Sequence, residues 1–351
     1  MQRQNKKPII FSNDAAIDDV IALLYLLAHP ECELAGITVT GAGEAHGYCG
    51  AQNIARLCHY LGYKNIPIAY SGDRKDPYCH PFPDWLRGLA DNLIINLPIS
   101  AAGATKISAN SLALIKQILD ANYEPCLILA TGPLTDIAAF IQQYPEYQSK
   151  IEKIVIMGGA VDVPGNIQAI DENSDNTVAE WNIYADPQAA KIVFESALNI
   201  ELVSLDATNQ VPMTEAFYNS LGSVNSKSCK IMHTLLTDLI NHLPGGMPAF
   251  VKDFYLWDPL AAMLALERHL AERKTYTLKI DLSTAQTAHS ATGKMITVNT
   301  KILQPNLILE QFVNTLLAGE HSYSVSRLFQ PENLLPKTNK AYRASLYPKI
   351  V

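Results

Sequence analysis

The first two thirds of the chain alternate between short apolar runs and longer segments whose apolar residues recur at helical spacing. Five apolar runs predict buried strands, at residues 8–13, 33–40, 66–70, 126–131 and 151–157. Four segments predict intervening helices, at residues 17–29, 46–61, 111–121 and 133–142. Because the strands are continuously apolar rather than alternating, we expect a mostly parallel open sheet with helices on both faces.

Two later regions depart from this alternation. Residues 70–111 begin with a proline-rich stretch that is long for a passive connection, and loops of this kind are often functional. Residues 208–257 are mainly helical in pattern, and residues 276–283 and 295–301 predict late strands of a small antiparallel addition. The expected architecture is therefore an α/β, Rossmann-like fold in one domain spanning residues 1–351.

Composition and charge narrow the class of protein. The chain is 48% hydrophobic and 17% charged, which is typical of a soluble globular enzyme. Its net charge of −7 disfavours nucleic-acid and anionic-membrane partners, and no apolar segment reaches the about 18 residues of a membrane helix. The N-terminus lacks a signal-peptide pattern, and the six cysteines form no C-x-x-C pair, so we expect a cytoplasmic protein with reduced thiols.

Candidate chemistry appears directly after the first strand. Asp14, Asp18 and Asp19 lie within six residues at a strand-to-helix turn. Close carboxylates repel one another unless some are protonated or a cation lies among them, and oxygen-only ligands favour Ca²⁺ or Mg²⁺ over Zn²⁺. The alternative is structural, because acidic residues commonly cap a helix or occupy its first turn.

The segment SNDAAIDDVIAL resembles the N-terminal signature of the nucleoside hydrolase family, D-x-D-x-x-x-D-D followed by an apolar helix. Asp14, Asp18 and Asp19 match three of its four acidic positions. Ser12 stands at the first, and Ala15 and Ala16 stand where the family often has Pro-Gly or Gly-Asn. Further motifs are therefore needed to support the resemblance.

Three later segments also resemble the family. They are LATGPLTDIA, the pair VIMGGAVDVPGN and AEWNIYADPQAA, and YLWDPLAA. The resemblance implies that Thr131 offers its backbone carbonyl to a metal ion and that Asp258 completes the metal site. It also implies that Asn166, Glu180 and Asn182 bind the ribose hydroxyls, for which amides and a carboxylate supply both donors and acceptors.

Trp257 precedes Asp258 at a position where many relatives have a histidine that can protonate the leaving base. This difference resembles the purine-selective, inosine-adenosine-guanosine preferring branch, in which two tryptophans sandwich the purine. The second tryptophan would be Trp85, in the proline-rich segment. The alternative for both residues is ordinary core packing.

The resemblance implies a mechanism for cleavage of the N-glycosidic bond of purine ribonucleosides by water. Ca²⁺ would be held by Asp14, Asp19, Asp258 and the Thr131 carbonyl. Asp14 would act as general base and Asp18 would bind a ribose hydroxyl. The two tryptophans would stack on the purine and favour its protonated form, with the proton coming from solvent.

The sequence is also compatible with other functions. One is a nucleoside hydrolase of broader specificity, for purines and pyrimidines alike. Another is a nucleoside-binding protein without catalysis, which the departures at Ser12, Ala15 and Ala16 allow. A phosphatase of the haloacid dehalogenase type is disfavoured because its nucleophilic aspartate is missing. The partner expected is a small nucleoside, and similarity to the purine-selective branch implies a homodimer.

Overall fold

A single ten-stranded sheet runs through the computed structural model, which describes residues 6–72, 79–99 and 106–320. The strand order is β4-β3-β2-β1-β5-β6-β7-β10-β8-β9. The strands are β1 Lys7–Asn13, β2 Cys32–Val39, β3 Ile68–Tyr70, β4 Ile107–Ser108, β5 Cys126–Ala130, β6 Ile151–Met157, β7 Ile200–Val203, β8 Ala271–Asp281, β9 Gln286–His289 and β10 Lys294–Ile302.

Every pairing from β4 across to β10 is parallel, and only β8 and β9 join the sheet in antiparallel fashion. This confirms the expected α/β architecture with a small antiparallel addition.

The helices are α1 Ile17–Ala28, α2 Gly47–Tyr60, α3 Asp84–Asp91, α4 Ser111–Ala121, α5 Thr135–Gln143, α6 Trp181–Ala185, α7 Pro187–Glu195, α8 Leu205–Thr208, α9 Glu215–Ser223, α10 Lys227–His242, α11 Gly246–Asp253, α12 Trp257–Leu266 and α13 Pro305–Gly319.

Both faces of the sheet are buried, which explains the continuously apolar strands. In β1, Ile9 and Phe11 pack into one core cluster, with α1 and α12, while Ile10 packs into the other, with α4, α5 and α7. Alternate side chains of a strand point to opposite faces, so a strand covered on both sides has no solvent-facing positions. The pattern that predicted the parallel sheet is thus a direct result of this double coverage.

The strand order reverses between β1 and β5, because β2, β3 and β4 extend to one side and β6 and β7 to the other. In open parallel sheets, ligands bind beyond the carboxyl ends of the strands at such a point. The turns after β1, β5 and β6 all open at this edge.

Helices α1 and α12 pack side by side on one face, and both begin at this edge of the sheet. At their far ends, the Tyr25 hydroxyl of α1 donates a short hydrogen bond to the carboxylate of Glu267, the residue after α12. The two helices therefore run in the same direction, and this hydrogen bond joins them at the ends remote from the carboxyl edge of the sheet.

The segment of residues 70–111 contains more regular structure than the sequence predicted. It holds the helix α3 and the two-residue strand β4, while the parts of the loop at residues 73–78 and 100–105 lie outside the described residues. Strands β7 and β9 were also not predicted. Within the described part of the chain, none of the helices has the length and apolarity needed to cross a membrane.

Candidate active site

A tight turn at the end of β1 presents the first acidic residue. Ala15 has φ = 60°, in the left-handed region that disfavours a residue with a Cβ. Asn13 holds this conformation: its side-chain oxygen accepts the Ala15 N–H at 3.0 Å, and its amide donates to the Thr38 carbonyl at 3.1 Å. The Ala16 N–H then donates to Asp19 Oδ2 at 2.9 Å, which begins α1. The turn leaves the Asp14 side chain buried at the carboxyl edge of the sheet.

Two glycines make room for Asp14. A Cβ added to Gly43 would lie 2.1 Å from Asp14 Oδ2, and one added to Gly132 would lie 2.9 Å from the Asp14 Cβ. The backbone N–H of Glu44 donates to Asp14 Oδ2 at 2.8 Å. The carboxylate is thus fixed in orientation by neighbours on two different loops.

Three more carboxylates meet beside Asp14. Oxygen atoms of Asp18, Asp19 and Asp258 all lie within 4.8 Å of one another, although Asp258 is far along the chain from the other two. The first turns of α1 and α12 bring them together. Thr131, after β5, donates its hydroxyl to Asp19 Oδ1 at 2.5 Å.

The electrostatics of this group favour a bound cation. Burial, reinforced by the neighbouring carboxylates, raises the pKa of Asp19 and of Asp258 well above the usual range, and burial together with Asp14 raises the pKa of Asp18 to about 7. No lysine or arginine lies among the described residues that line the cleft. The donors are all oxygen atoms, so the chemistry of the site fits a hard divalent ion such as Ca²⁺ or Mg²⁺.

Glu180 organises the opposite wall. Its carboxylate caps α6 by accepting the N–H groups of Asn182 at 2.9 Å and Ile183 at 3.2 Å, and it also accepts the Gly159 N–H at 2.9 Å. A carboxylate has about four acceptor sites, so roughly one is left for a ligand hydroxyl. Burial raises the pKa of Glu180 to about 7 despite these hydrogen bonds.

The two amides beside Glu180 are also held by protein groups. Asn166 Oδ1 accepts the Trp181 N–H at 3.1 Å, and Asn182 Nδ2 donates to the Thr131 carbonyl at 2.9 Å. A carbonyl oxygen has two lone pairs, so Thr131 keeps one for a further ligand while Asn182 orients the group.

These side chains surround one cleft, whose lining combines carboxylates, amides and aromatic rings. All but one of the residues selected from the sequence line it. They are Asp14, Asp18, Trp85, Thr131, Asn166, Glu180, Asn182, Trp257 and Asp258. Asp19 lies behind this lining, hydrogen-bonded to Thr131.

Aromatic rings form the sides of the cleft. Trp85, on α3, is 41% exposed, and Trp257 lies 5.4 Å from Phe254 between ring centroids. Trp181 is buried and stacks on Phe82 at 4.7 Å with an interplanar angle of 23°. Neither tryptophan chosen from the sequence is an ordinary buried core residue, because each lines the cleft and is at least partly accessible.

Among the lining residues that were not selected as site residues from the sequence are one acid, Glu44, and two aromatic residues, Phe82 and Trp181. Burial, with Asp14 and Asp18 nearby, raises the pKa of Glu44 well above the usual range, so it acts as a further member of the acidic group. The sequence offered one indication for Trp181, which lies between the two polar residues Glu180 and Asn182 of one motif. Phe82 carried no comparable signal.

Known protein families and sequences include relatives of this chain. The model of the family "Inosine-uridine preferring nucleoside hydrolase" matches residues 9–314. Uridine nucleosidase 1 of Arabidopsis thaliana is 32% identical over 232 residues, covering 64% of each chain. The pyrimidine-specific ribonucleoside hydrolase RihA of Shewanella sp. (strain MR-7) is 31% identical over 235 residues, covering 66% of this chain and 69% of that one. The match thus spans about two thirds of the length of these relatives.

Solved structures share the fold over more of the chain. An inosine-uridine preferring nucleoside hydrolase from Bacillus anthracis superposes with a TM-score of 0.77 at 24% identity, covering 89% of this chain and 99% of that one. A purine-preferring ribonucleoside hydrolase from Gardnerella vaginalis gives a TM-score of 0.73 at 24% identity, covering 89% and 98%. At this identity the likeness establishes the fold.

Proposed function

Since the chain belongs to the inosine-uridine preferring nucleoside hydrolase family, we propose that it hydrolyses the N-glycosidic bond of purine ribonucleosides such as inosine, adenosine and guanosine. The observation that carries the proposal is one cleft with two kinds of lining. Carboxylates from distant parts of the chain meet in it, and Trp85 and Trp257 line the same space. The carboxylates suit a sugar diol and a cation, and the tryptophans suit a flat, apolar base.

We propose Ca²⁺ as the resident ion, held by Asp14, Asp19, Asp258 and the Thr131 carbonyl. Asp18 is close enough to the group to contribute as well, since its carboxylate lies with those of Asp19 and Asp258. The chemical contribution of the ion, when bound, is Lewis acidity, which lowers the pKa of a water molecule in the site.

The protein side chains then supply binding and proton transfer. Asp14 is the proposed general base, because its buried carboxylate is held in one orientation by the Glu44 N–H. Asp18, Asn166, Glu180 and Asn182 are the proposed partners of the ribose hydroxyls. Glu180 suits this role because its remaining acceptor site is held in place by three backbone donors.

We propose that the leaving base stacks on Trp85 and Trp257. An electron-rich indole face stabilises a positively charged ring, so stacking favours the protonated purine and makes it a better leaving group. Trp257 directly precedes Asp258, a proposed ligand of the ion, and a tryptophan side chain is not an acid that can give a proton to the base. We therefore propose that the proton reaches the base from solvent rather than from a histidine at that position.

Base release from a panel of nucleosides tests the proposal. With Ca²⁺ present, chromatography should show free hypoxanthine, adenine or guanine from the purine nucleosides, and EDTA should abolish the release until Ca²⁺ is restored. Full activity in a metal-free preparation would contradict the role of the ion. Binding without release of any base would instead identify a nucleoside-binding protein.

A second candidate is a hydrolase of broader or pyrimidine specificity. It is favoured by the printed names of the relatives, which include a uridine nucleosidase and a pyrimidine-specific hydrolase. The same panel separates the two: comparable kcat/KM values for uridine and inosine indicate broad specificity, and a preference for uridine or cytidine contradicts the purine proposal.

We also propose that the protein is a cytoplasmic homodimer. Cys32, Cys58, Cys126 and Cys229 are buried free thiols, which suits a reducing compartment. Light scattering coupled to gel filtration measures the mass directly, and a mass near 38.5 kDa rather than twice that value would contradict the dimer.

A further inference from the structure

Helix α3 contributes to the lining of the cleft, and its last residue is fixed to a different part of the fold. Four of its residues line the cleft: Trp85, Leu86, Leu89 and Ala90. The last residue, Asp91, contacts His46, which directly precedes α2. Asp91 Oδ1 accepts the His46 N–H at 2.8 Å, and Asp91 Oδ2 lies 2.7 Å from His46 Nδ1. One carboxylate therefore makes two contacts with one residue, which fixes its orientation.

Asp91 is unfavourable within its own helix. An acidic residue at the last position lies at the negative end of the helix dipole, where a basic residue is preferred. The start of α2, at His46, is the positive end of that helix, and it has neither an acidic residue in its first turn nor a side-chain cap. Asp91 supplies a negative charge there from outside. Its place in the sequence is therefore explained by the contact between the two helices and not by α3 alone.

A second side chain of α2 holds the same end of α3. Asn53 is 5% exposed, and its Nδ2 donates to the Ala90 carbonyl at 3.0 Å and to the Asp91 carbonyl at 3.1 Å. These carbonyls belong to the last turn of a helix, which has no partners for them within the helix itself. The carboxyl end of α3 is thus attached to α2, while Trp85 lies in the first turn of α3, about 9 Å away along the helix axis.

The residues before α2 connect this contact to the group of carboxylates. The N–H of Glu44 donates to Asp14 Oδ2 at 2.8 Å, and the N–H of Ala45 donates to the Asp14 carbonyl at 3.1 Å. The next N–H, that of His46, donates to Asp91. Three consecutive residues therefore bind the proposed general base on one side and α3 on the other.

We propose that Asp91 is a positioning residue, which holds Trp85 at the distance from Asp14 that a bound nucleoside requires. The inference rests on the proposed function, since it takes Trp85 to stack on the base. Asp91 is not among the residues that line the cleft, so its effect on hydrolysis passes through α3. A base held slightly out of place loses much of the advantage of an oriented complex.

A double-mutant cycle between Asp91 and Trp85 tests the inference in the full chain with Ca²⁺. Asp91→Ala should lower kcat/KM for inosine by about 10-fold in the wild type, but by less than about 2-fold in Trp85→Ala, where no indole is left to position. Asp91→Asn keeps an acceptor for the His46 N–H and should recover most of the loss. Equal factors in the two backgrounds would show that Asp91 does not act through Trp85, and would overturn the inference.

Asn92→Ala is the matched control, because the Asn92 amide donates to the Gly88 carbonyl within α3 itself, at 2.9 Å. Its kcat/KM should stay within about 2-fold of the wild-type value. Thermal unfolding checks that each variant folds. If Asp91→Ala does not fold, His46→Ala removes the contact with the ring alone and takes its place in the cycle.

The choice of substrate separates this inference from the proposed function. If the wild type cleaves uridine but not inosine, the purine proposal fails, and the same cycle with uridine still decides the role of Asp91. If the wild type binds nucleosides without releasing a base, the hydrolase proposal fails. The cycle is then measured as the Kd of inosine by calorimetry, and equal factors in the two backgrounds again overturn the inference.

Discussion

The Asp14 carboxylate occupies the space that a side chain on Gly43 would need, since a Cβ there would lie 2.1 Å from Asp14 Oδ2. Gly43→Ala must therefore displace the proposed general base or the loop that donates the Glu44 N–H. We expect kcat to fall by about 100-fold, the scale of a misplaced catalytic group. Steady-state hydrolysis of inosine measures the loss.

A matched glycine provides the control for this substitution. A Cβ on Gly88, in α3, would meet no atom within 4 Å, so Gly88→Ala should keep its activity and be slightly more stable. If Gly43→Ala retained wild-type kcat, the carboxylate would not need its observed orientation.

Removing the proposed base itself should have a larger effect. Asp14→Ala should lower kcat for inosine by several orders of magnitude, because it removes both the base and one proposed ligand of the ion. Asp120→Ala is a suitable control, since Asp120 is an exposed acid on α4 and is not among the residues that line the cleft. A loss of less than about 10-fold in Asp14→Ala would exclude it as the base.

Stacking at Trp257 can be separated from simple packing by the choice of substrate. Trp257→Ala should reduce kcat/KM for inosine by about 100-fold, but reduce it much less for p-nitrophenyl riboside, whose leaving group needs no protonation. Trp257→Phe keeps an aromatic face and should recover part of the inosine activity. Equal losses for the two substrates would refute activation of the base by stacking.

The raised pKa values predict how stability depends on pH when no divalent ion is present. The pKa of Asp18 and of Glu180 is raised to about 7, so each carboxyl binds its proton more tightly in the folded protein than in the unfolded chain. The contribution of these two groups to stability is therefore greatest below their unfolded pKa values near 4 and is lost as pH rises through 7. In EDTA, the Tm should fall by roughly 5 °C between pH 5 and pH 8.

Calcium should reverse this dependence, because the ion requires ionised carboxylates and competes with protons for them. The increase in Tm on adding Ca²⁺ should be larger at pH 8 than at pH 5, as measured by differential scanning calorimetry. An equal increase at both values would show that the acidic group does not hold the ion.

Much of the fold was predictable because each parallel strand is short, apolar and followed by a helix. The bounds of α4 and β6 agree with the predicted residues 111–121 and 151–157. Strands β7 and β9 were missed because four residues give too little pattern to distinguish a strand from a loop.

The sequence could predict which site residues lie close together only where those residues follow neighbouring parallel strands. Thr131 and Asp14 follow neighbouring strands, so their proximity follows from the sheet. The contact of Gly43 with Asp14 and the stack of Phe82 on Trp181 depend on how separate loops pack. Local spacing carries no information about such contacts.

Because α1 and α12 pack in parallel, residues at their far ends help to set the positions of the carboxylates at their near ends. A slip of one helix along the other by a single residue, about 1.5 Å, would draw Asp258 away from Asp18 and Asp19 by a comparable distance. The bond between Tyr25 and Glu267 opposes such sliding from the opposite end. Changes made at that remote end for heat resistance would therefore alter the spacing between the carboxylates, and with it the size of cation that the proposed site could hold.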